Sequence, residues 1–177
     1  LLTGVAIAQR QGRGRENMHE TIRIALYQPD IAGNTGTILR LAACMALGVD
    51  LIEPAGFDLS DRALRRAGMD YLERAALTRH VDWVAFEDRR TSEGRRLILF
   101  TTSAALPYTD FGFVSGDVLL FGRQSAGVPD TVHEAAGHRL LIPMPGGGRS
   151  LNVAMSVAIA AGEAIRQITT NGAPTYR

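Results

Sequence analysis

Apolar residues along the chain alternate between short continuous runs and segments with helical spacing. Ile22–Tyr27 is a run of strand-forming residues that ends at a Gln-Pro-Asp loop, and residues 35–47 then carry apolar side chains every three or four positions. Asn34 is expected to cap this helix, and Gly48 to lie just beyond its end. The same alternation predicts strands at residues 49–52, 76–80, 97–101, 118–121 and 140–142, and helices at residues 61–67, 81–90, 129–136 and 150–168.

Strands that alternate with helices in this way indicate an α/β fold with a mainly parallel sheet flanked by helices. No internal repeat or linker interrupts the pattern, so residues 21–170 are expected to form one domain. Residues 1–20 are rich in Gly, Gln and Arg and lack apolar periodicity past Ile7, which predicts a disordered tail or leader, with Met18 as a candidate start. Residues 171–177 are expected to be a C-terminal tail.

The composition is that of a globular protein. Of the 177 residues, 46% are hydrophobic and 21% are charged, which excludes wholesale disorder. No apolar run approaches the roughly 20 residues of a membrane span. Cys44 is the single cysteine, so neither an internal disulfide framework nor a cysteine zinc cluster is expected, and the four histidines lack metal-ligand spacing. Without a secretory apolar segment, the sequence predicts a cytoplasmic protein that uses no metal and no membrane.

All 19 basic residues are arginines. A GC-rich genome is one explanation, but every basic contact is then a planar fork suited to phosphate or carboxylate. The absence of lysine excludes a Walker-type phosphate loop and Schiff-base chemistry. The sequence also contains neither the glycine pattern of a dinucleotide site nor a serine nucleophile elbow.

Three loops that follow predicted strands combine glycine with arginine, at residues 34–40, 121–129 and 142–152. In open α/β sheets ligands bind beyond the carboxyl ends of the strands, where all three loops are expected to lie. Each loop also has a purely structural interpretation. Asn34 is then only a helix cap, Gly122 and Gly127 are turn residues, residues 146–148 form a flexible tip, and Arg40 belongs to a structural ion pair.

Together, in this order, the three loops resemble the motifs of the SPOUT methyltransferases, within them the branch that methylates ribose 2′-hydroxyls of tRNA and rRNA. The patterns are N-x-G-x-x-x-R, then F-G-x-E-x-x-G-[LV]-P, then I-P-M followed by R-S-L-N. The matching residues are Asn34, Gly36 and Arg40; Phe121, Gly122, Gln124, Gly127, Val128 and Pro129; and Ile142, Pro143, Met144, Arg149, Ser150, Leu151 and Asn152. Residues 52–57 and 64–71 are similar to the small single-domain enzymes that methylate the wobble nucleotide, position 34 of tRNA.

The resemblance implies a SPOUT fold, an α/β sheet with a C-terminal trefoil knot whose loops hold S-adenosyl-L-methionine. The cofactor-binding residues that it implies, by position, are Phe100, Thr101, Gly122, Ile142, Met144, Ser150 and Leu151. It also implies a homodimer. We expect the final helix to contribute its small-residue face, together with the first helix. That face consists of Ala154, Ala158, Ala161 and Ile165.

The implied reaction is the in-line transfer of a methyl group to a ribose 2′-hydroxyl in a tRNA anticodon stem-loop. The catalytic residues that the resemblance implies are Arg40, Asn34, Ser150 and Asn152. Because the pKa of arginine exceeds about 12, we expect Arg40 to hold a phosphate and orient the hydroxyl rather than to act as a base. Candidate RNA contacts are Arg65, Arg66, Tyr71, Arg123 and Arg149.

One position departs from the family pattern, since Gln124 stands where the motif has glutamate. Glutamine keeps the length and an accepting oxygen but removes the charge. Two alternatives therefore stay open beside wobble methylation. One is the same chemistry on another tRNA or rRNA nucleotide, and the other is a catalytically silent knotted RNA-binding protein.

Overall fold

The computed structural model describes residues 21–59 and 76–170. The strands of these residues are β1 Ile22–Tyr27, β2 Gly48–Ile52, β3 Ala76–His80, β4 Leu97–Phe100, β5 Leu106–Pro107, β6 Asp117–Phe121 and β7 His138–Leu141. The α-helices are α1 Ala32–Met45, α2 Trp83–Ser92, α3 Asp130–Ala135 and α4 Val153–Thr170. The predicted tails, the predicted helix at residues 61–67, and Arg65, Arg66 and Tyr71 lie outside the described residues.

The seven strands form one sheet in the order β3-β2-β1-β6-β4-β7-β5, and every neighbouring pair is parallel. All six residues of β1 are buried. Helices cover both faces of a parallel sheet, which is why such a strand is a continuous apolar run rather than an alternating one. The predicted α/β class and parallel sheet are confirmed.

Different helices cover the two faces. Ile24 and Leu119 belong to a core that includes Ala160 of α4, whereas Leu120 packs with Phe86 of α2 on the opposite face. Helices α1 and α4 also contact each other over the first face. With both faces covered, the carboxyl ends of the strands are left as the place where a ligand reaches the sheet.

The ends of α1 differ from the prediction. The helix begins at Ala32 after Ile31, so Asn34 lies inside the first turn and is not the cap. At the other end Ala46 takes the left-handed conformation (φ 53°), and Gly48 is the first residue of β2. The side chain of Asn34 is therefore available for contacts outside its own helix.

The small-residue face of α4 is largely used within the chain. Ala154 and Ala161 are buried in the core between α4, α1 and the sheet. The expectation that these two alanines form a dimer face is wrong, because close packing inside the chain already covers them. Met155 on the same helix is 59% exposed and faces away from this core.

Other predicted elements lie within three residues of their observed positions; α4, for example, begins at Val153 rather than at residue 150. The sequence did not predict β5, a two-residue strand at the sheet edge, where Pro107 is tolerated. Within residues 21–59 and 76–170, no helix is long and apolar enough to cross a membrane. The same residues contain no group of three or more metal-ligand side chains that could hold an ion.

Candidate active site

A cavity of about 230 Å³ lies at the carboxyl ends of β4, β6 and β7. Its lining residues are Leu99, Phe100, Thr101, Thr102, Phe121, Gly122, Arg123, Gln124, Gly127, Val128, Ile142, Met144, Ser150, Leu151, Val153 and Ser156. Inside it, the rings of Phe100 and Phe121 stack with their centroids 5.0 Å apart. The cavity thus has an apolar wall and a rim of hydroxyl, amide and guanidinium groups.

All seven residues expected to bind a cofactor line this cavity, which the loops after three different strands bring together. Phe100 and Thr101 stand at the end of β4, Gly122 follows β6, and Ile142 follows β7. Their placement agrees with the expected arrangement, and their role in binding stays a prediction.

The loop after β6 is a tight turn whose shape requires glycine at two positions. Arg123 and Gly127 bond each other through both backbone groups, at 2.9 and 2.8 Å. A Cβ on Gly122 would lie 2.5 Å from the carbonyl carbon of Gly127, and Gly127 itself has φ +66°. The turn interpretation of these glycines is therefore correct, and the turn forms part of the cavity wall.

We expect Gly122→Ala to lower the free energy of unfolding by about 1–3 kcal/mol, because the new methyl group overlaps a backbone that cannot yield easily. Urea denaturation at a fixed protein concentration measures the change. Gly137→Ala is the matched control, since a Cβ there meets nothing within 4 Å, and its effect should stay within about 0.5 kcal/mol. Equal stability of the two variants would contradict the steric argument.

Asp30 holds the same turn from the neighbouring loop. Its carboxylate accepts hydrogen bonds from the backbone N–H groups of Gln124 (3.2 Å) and Ser125 (3.1 Å). The side chain and backbone of Ser125 together hold the pKa of Asp30 below its usual value, against a weaker opposing effect of burial. The carboxylate therefore stays ionised at neutral pH and fastens the loop after β1 to the loop after β6.

A chain of amide side chains joins all three motif loops. The Asn34 Nδ2 donates to Gln124 Oε1, and the Asn152 Nδ2 donates to Asn34 Oδ1 at 3.0 Å. The Asn152 Oδ1 in turn accepts from the backbone N–H of Ala154 at 2.8 Å, in the first turn of α4. Each amide thus orients the next, and the last amide is bonded to α4, which packs against the core.

The arginines of the predicted site occupy different environments. Arg149 is exposed next to Ser150, which lines the cavity. Arg40 is exposed on α1 and is not among the residues that line the cavity. Arg123 is half-buried, lines the cavity and donates from Nη2 to Gln28 Oε1, and its contact with RNA stays a prediction.

Sequence reasoning missed Asp30 and Gln28 as site residues. Both follow β1 in a segment interpreted only as a loop. They reach the site because β1 and β6 are neighbours in the sheet, which places the two loops side by side. An acidic residue in the short loop after a buried strand was the available signal, but no motif marked its partner.

Comparison with known protein families shows to which family this chain belongs. The model of the SpoU rRNA Methylase family matches residues 21–162. The chain belongs to the SpoU rRNA Methylase family.

Individual SpoU relatives are similar to this chain over most of its length. A tRNA (cytidine(34)-2′-O)-methyltransferase from Ancylobacter novellus is 54% identical over 147 residues, which cover 83% of this chain and 93% of that protein. A solved structure from work on the 2-OH methylation of C/U34 on tRNA is 40% identical with a TM-score of 0.79, and the match covers 84% of this chain and 97% of that chain. The AdoMet-bound rRNA methyltransferase from Sinorhizobium meliloti is 26% identical with a TM-score of 0.75, over 86% of this chain and 59% of that chain.

The cavity of this SpoU protein fits the chemistry of S-adenosylmethionine, which SpoU relatives bind. The stacked rings of Phe100 and Phe121 and the side chains of Ile142 and Leu151 supply the apolar contacts that an adenine ring needs. Hydroxyl and amide groups at the rim suit ribose and amino-acid atoms. Arg123 also lines the cavity, and its Nε is buried without a hydrogen-bond partner. At about 230 Å³ the cavity is slightly below the roughly 300–1,000 Å³ of ligand pockets.

Proposed function

We propose that this SpoU protein is an S-adenosylmethionine-dependent methyltransferase that modifies the ribose 2′-hydroxyl of the wobble nucleotide, cytidine or modified uridine 34, in tRNA anticodon loops. The observation that carries the proposal is the amide chain through Asn34, Gln124 and Asn152, because it ties the three motif loops together beside the cavity. The names of the curated relatives support the choice of tRNA and of nucleotide 34.

S-adenosylmethionine, when bound, supplies the methyl group, and the side chains of this protein align the acceptor. We assign the binding of the cofactor to the seven cavity residues that the sequence motifs predict, which are Phe100, Thr101, Gly122, Ile142, Met144, Ser150 and Leu151. Ser150, at the cavity rim, and the amide pair of Asn34 and Asn152 orient groups at the reacting end. Arg40 holds a substrate phosphate so that the adjacent 2′-hydroxyl faces the methyl group, and such alignment is a large part of rate enhancement in transfer reactions.

Arg40→Ala is expected to lower kcat/KM for methyl transfer by about 10- to 100-fold, since a hydrogen bond to a charged group contributes about 1.5–3 kcal/mol. Arg40→Lys keeps the charge but loses the planar fork, and it should recover only part of the rate. Steady-state kinetics with varied RNA measures both. Full activity of Arg40→Ala would sink this role without touching the function.

We also assign RNA-phosphate contact to Arg149, which is exposed beside the cavity rim. Arg65, Arg66 and Tyr71 complete the proposed RNA face as phosphate contacts and a base-stacking ring. A tRNA substrate further supports a cytoplasmic location. One SPOUT domain over residues 21–170, with tails on either side, is part of the same proposal.

The proposed fold detail is the C-terminal trefoil knot, and the proposed assembly is a homodimer. Support for the knot is the strand order, in which β6 lies between β1 and β4, and β7 lies beyond β4. Support for the dimer is the exposure of apolar side chains near the starts of α1 and α4. Ile31 is 44% exposed and Met155 is 59% exposed. We assign these two residues to the dimer face in place of the buried alanines of α4.

The decisive experiment is methyl transfer from labelled S-adenosylmethionine to tRNA that lacks wobble ribose methylation, followed by digestion to nucleosides and mapping. Label in 2′-O-methylcytidine or a 2′-O-methyluridine derivative at position 34 would establish reaction and target. The matched control is the same tRNA with a 2′-deoxyribose at position 34, which should accept no label.

Other outcomes separate the alternatives. Label on another ribose, in tRNA or rRNA, keeps the chemistry and replaces the target. Label on a base overturns the reaction assignment. Cofactor binding without transfer to any RNA would favour the silent RNA-binding protein.

A further inference from the structure

Arg123 has a donor that nothing in the described protein satisfies. Its Nε is buried and has no hydrogen-bond partner, and among the described residues it is the only buried side-chain nitrogen or oxygen in that condition. Leaving a buried donor unpaired costs about 1–3 kcal/mol, more for a charged group. In a native protein such an atom calls for an explanation, for example backbone strain, a catalytic role or a bound water or ion.

The contact that Arg123 does make leaves its charge uncompensated. Its Nη2 donates to Gln28 Oε1, which is a neutral amide oxygen. Gln28 itself has a left-handed backbone (φ 46°), a conformation that costs a non-glycine residue roughly 1 kcal/mol or more. The protein thus accepts backbone strain at Gln28 where this residue positions a guanidinium that still requires an anion.

The position of Arg123 indicates which anion pairs with its guanidinium. The residue lines the cavity together with Gly122 and Gln124, and its Nε is buried rather than presented to the surface. The Nε is closed to the cavity as well as to the outer surface, so a ligand would pair with the remaining N–H groups of the guanidinium. Because Arg123 lines the cavity, these groups are within reach of a small ligand inside it. Guanidinium groups pair best with carboxylates, which accept two parallel hydrogen bonds.

We propose that Arg123 recognises the α-carboxylate of the amino-acid part of the methyl donor and so selects ligands that carry this group. The inference rests on the proposed function, because it takes S-adenosylmethionine as the ligand. It moves Arg123 from the RNA contacts to the cofactor site. Gln28 then acts as a positioning residue that fixes the guanidinium before the ligand enters.

Calorimetric titration of two ligands tests this without turnover. S-adenosylhomocysteine carries the carboxylate, and 5′-methylthioadenosine lacks the amino-acid part. We expect Arg123→Met to raise the Kd of S-adenosylhomocysteine about tenfold and to leave that of 5′-methylthioadenosine unchanged. Arg123→Lys keeps the charge without the fork and should lie between. Arg139→Met is the matched control, because Arg139 is exposed and does not line the cavity.

Each other result overturns the inference in a recognisable way. Equal weakening of both ligands by Arg123→Met means that Arg123 only shapes the cavity. An unchanged Kd for S-adenosylhomocysteine, with weaker tRNA binding, means that Arg123 contacts phosphate. Failure of the unmodified protein to bind either ligand overturns the proposed function and this inference with it. Thermal unfolding of each variant shows whether a lost affinity reflects lost folding, and Arg123→Lys then supplies the answer for a folded protein.

Discussion

Replacing Asn34 with alanine is expected to slow methyl transfer by about 100-fold, because a misplacement of about 1 Å at a reacting centre has an effect of that size. Asn34 is the middle of the amide chain. It donates to Gln124 and accepts from Asn152, so its loss releases two loops at once. The Asn152 amide would keep its contact with Ala154 at the start of α4. The fold should therefore survive while the site loses its alignment.

Because Gln124 stands where the family pattern has glutamate, further variants can test the donor and acceptor roles within the amide chain. Gln124 accepts from Asn34 with an oxygen, as a glutamate would, so Gln124→Glu should retain most of the activity. Glutamine also carries an NH2 group that glutamate lacks. Asn34→Asp should therefore be tolerated beside Gln124, which can turn to donate, but not beside a glutamate. The double variant places two carboxylates in contact and should be as slow as Asn34→Ala.

Single-turnover methyl transfer at saturating ligand measures these four variants, with calorimetric binding of S-adenosylhomocysteine as the check on the cavity. Thr37→Ala is a control on the same helix, since the Thr37 hydroxyl bonds only the backbone oxygen of Gly33 among the contacts described. If Asn34→Asp and its combination with Gln124→Glu have equal rates, Gln124 does not make the predicted exchange of donor and acceptor. If Asn34→Ala also transfers methyl groups at the rate of the unmodified protein, the amide chain is a structural feature without effect on transfer.

The strands were predictable from sequence because burial on both faces produces an unmistakable pattern. Ile22–Tyr27, whose six residues are all buried, has the predicted bounds. Helix ends were less predictable, since they depend on tertiary contacts. Asn34 is of a residue type that often caps helices, but its amide forms hydrogen bonds with Gln124 and Asn152 instead.

The residues that line the cavity were predictable from the order of the motifs, whereas the hydrogen bonds between the loops were not. The strand order places β1 beside β6, although 90 residues separate Asn34 from Gln124 in the sequence. No local sequence pattern predicts that the loops after these two strands are neighbours. The same holds for Arg123, whose sequence neighbours suggest a surface turn and whose burial follows from the meeting of two loops.

A buried ionic cluster on the α2 side of the sheet carries the largest expected effect on stability. Arg23 donates to Asp50 from Nε (2.6 Å) and Nη2 (3.0 Å), and the Nη2 also donates to Thr78. His80 Nε2 lies 2.8 Å from the Asp50 carboxylate. Burial alone would raise the pKa of Asp50, but the hydrogen bonds with His80 and Arg23 outweigh it and hold the pKa below its usual value. Three adjacent strands are thereby joined through one carboxylate.

Asp50→Ala is expected to lower the free energy of unfolding by about 3–5 kcal/mol, because it leaves the guanidinium of Arg23 buried without its counter-ion. Urea denaturation at a fixed protein concentration measures the loss as a shift of the midpoint. Glu53→Ala is the matched control. It breaks the pair with Arg79 (2.8 Å), whose side chain is 45% exposed, and should cost less than about 1 kcal/mol. A loss for Asp50→Ala no larger than that of the control would contradict the prediction.

The pH dependence of unfolding gives the same cluster a second test. Because the folded-state pKa of Asp50 lies below the unfolded value of about 3.9, its contribution is fully present above that pH. It is lost as the pH falls through the lower, folded-state pKa, since the proton then binds both states. The unmodified protein should therefore lose stability more steeply below about pH 4 than Asp50→Asn, whose side chain cannot titrate. Parallel pH profiles of the two proteins would show that the pKa of Asp50 is the same in the folded and unfolded states, which contradicts the prediction. A protein that gains stability relative to Asp50→Asn as the pH falls would show that folding keeps Asp50 neutral, and the buried cluster would then have to be reinterpreted as neutral hydrogen bonds.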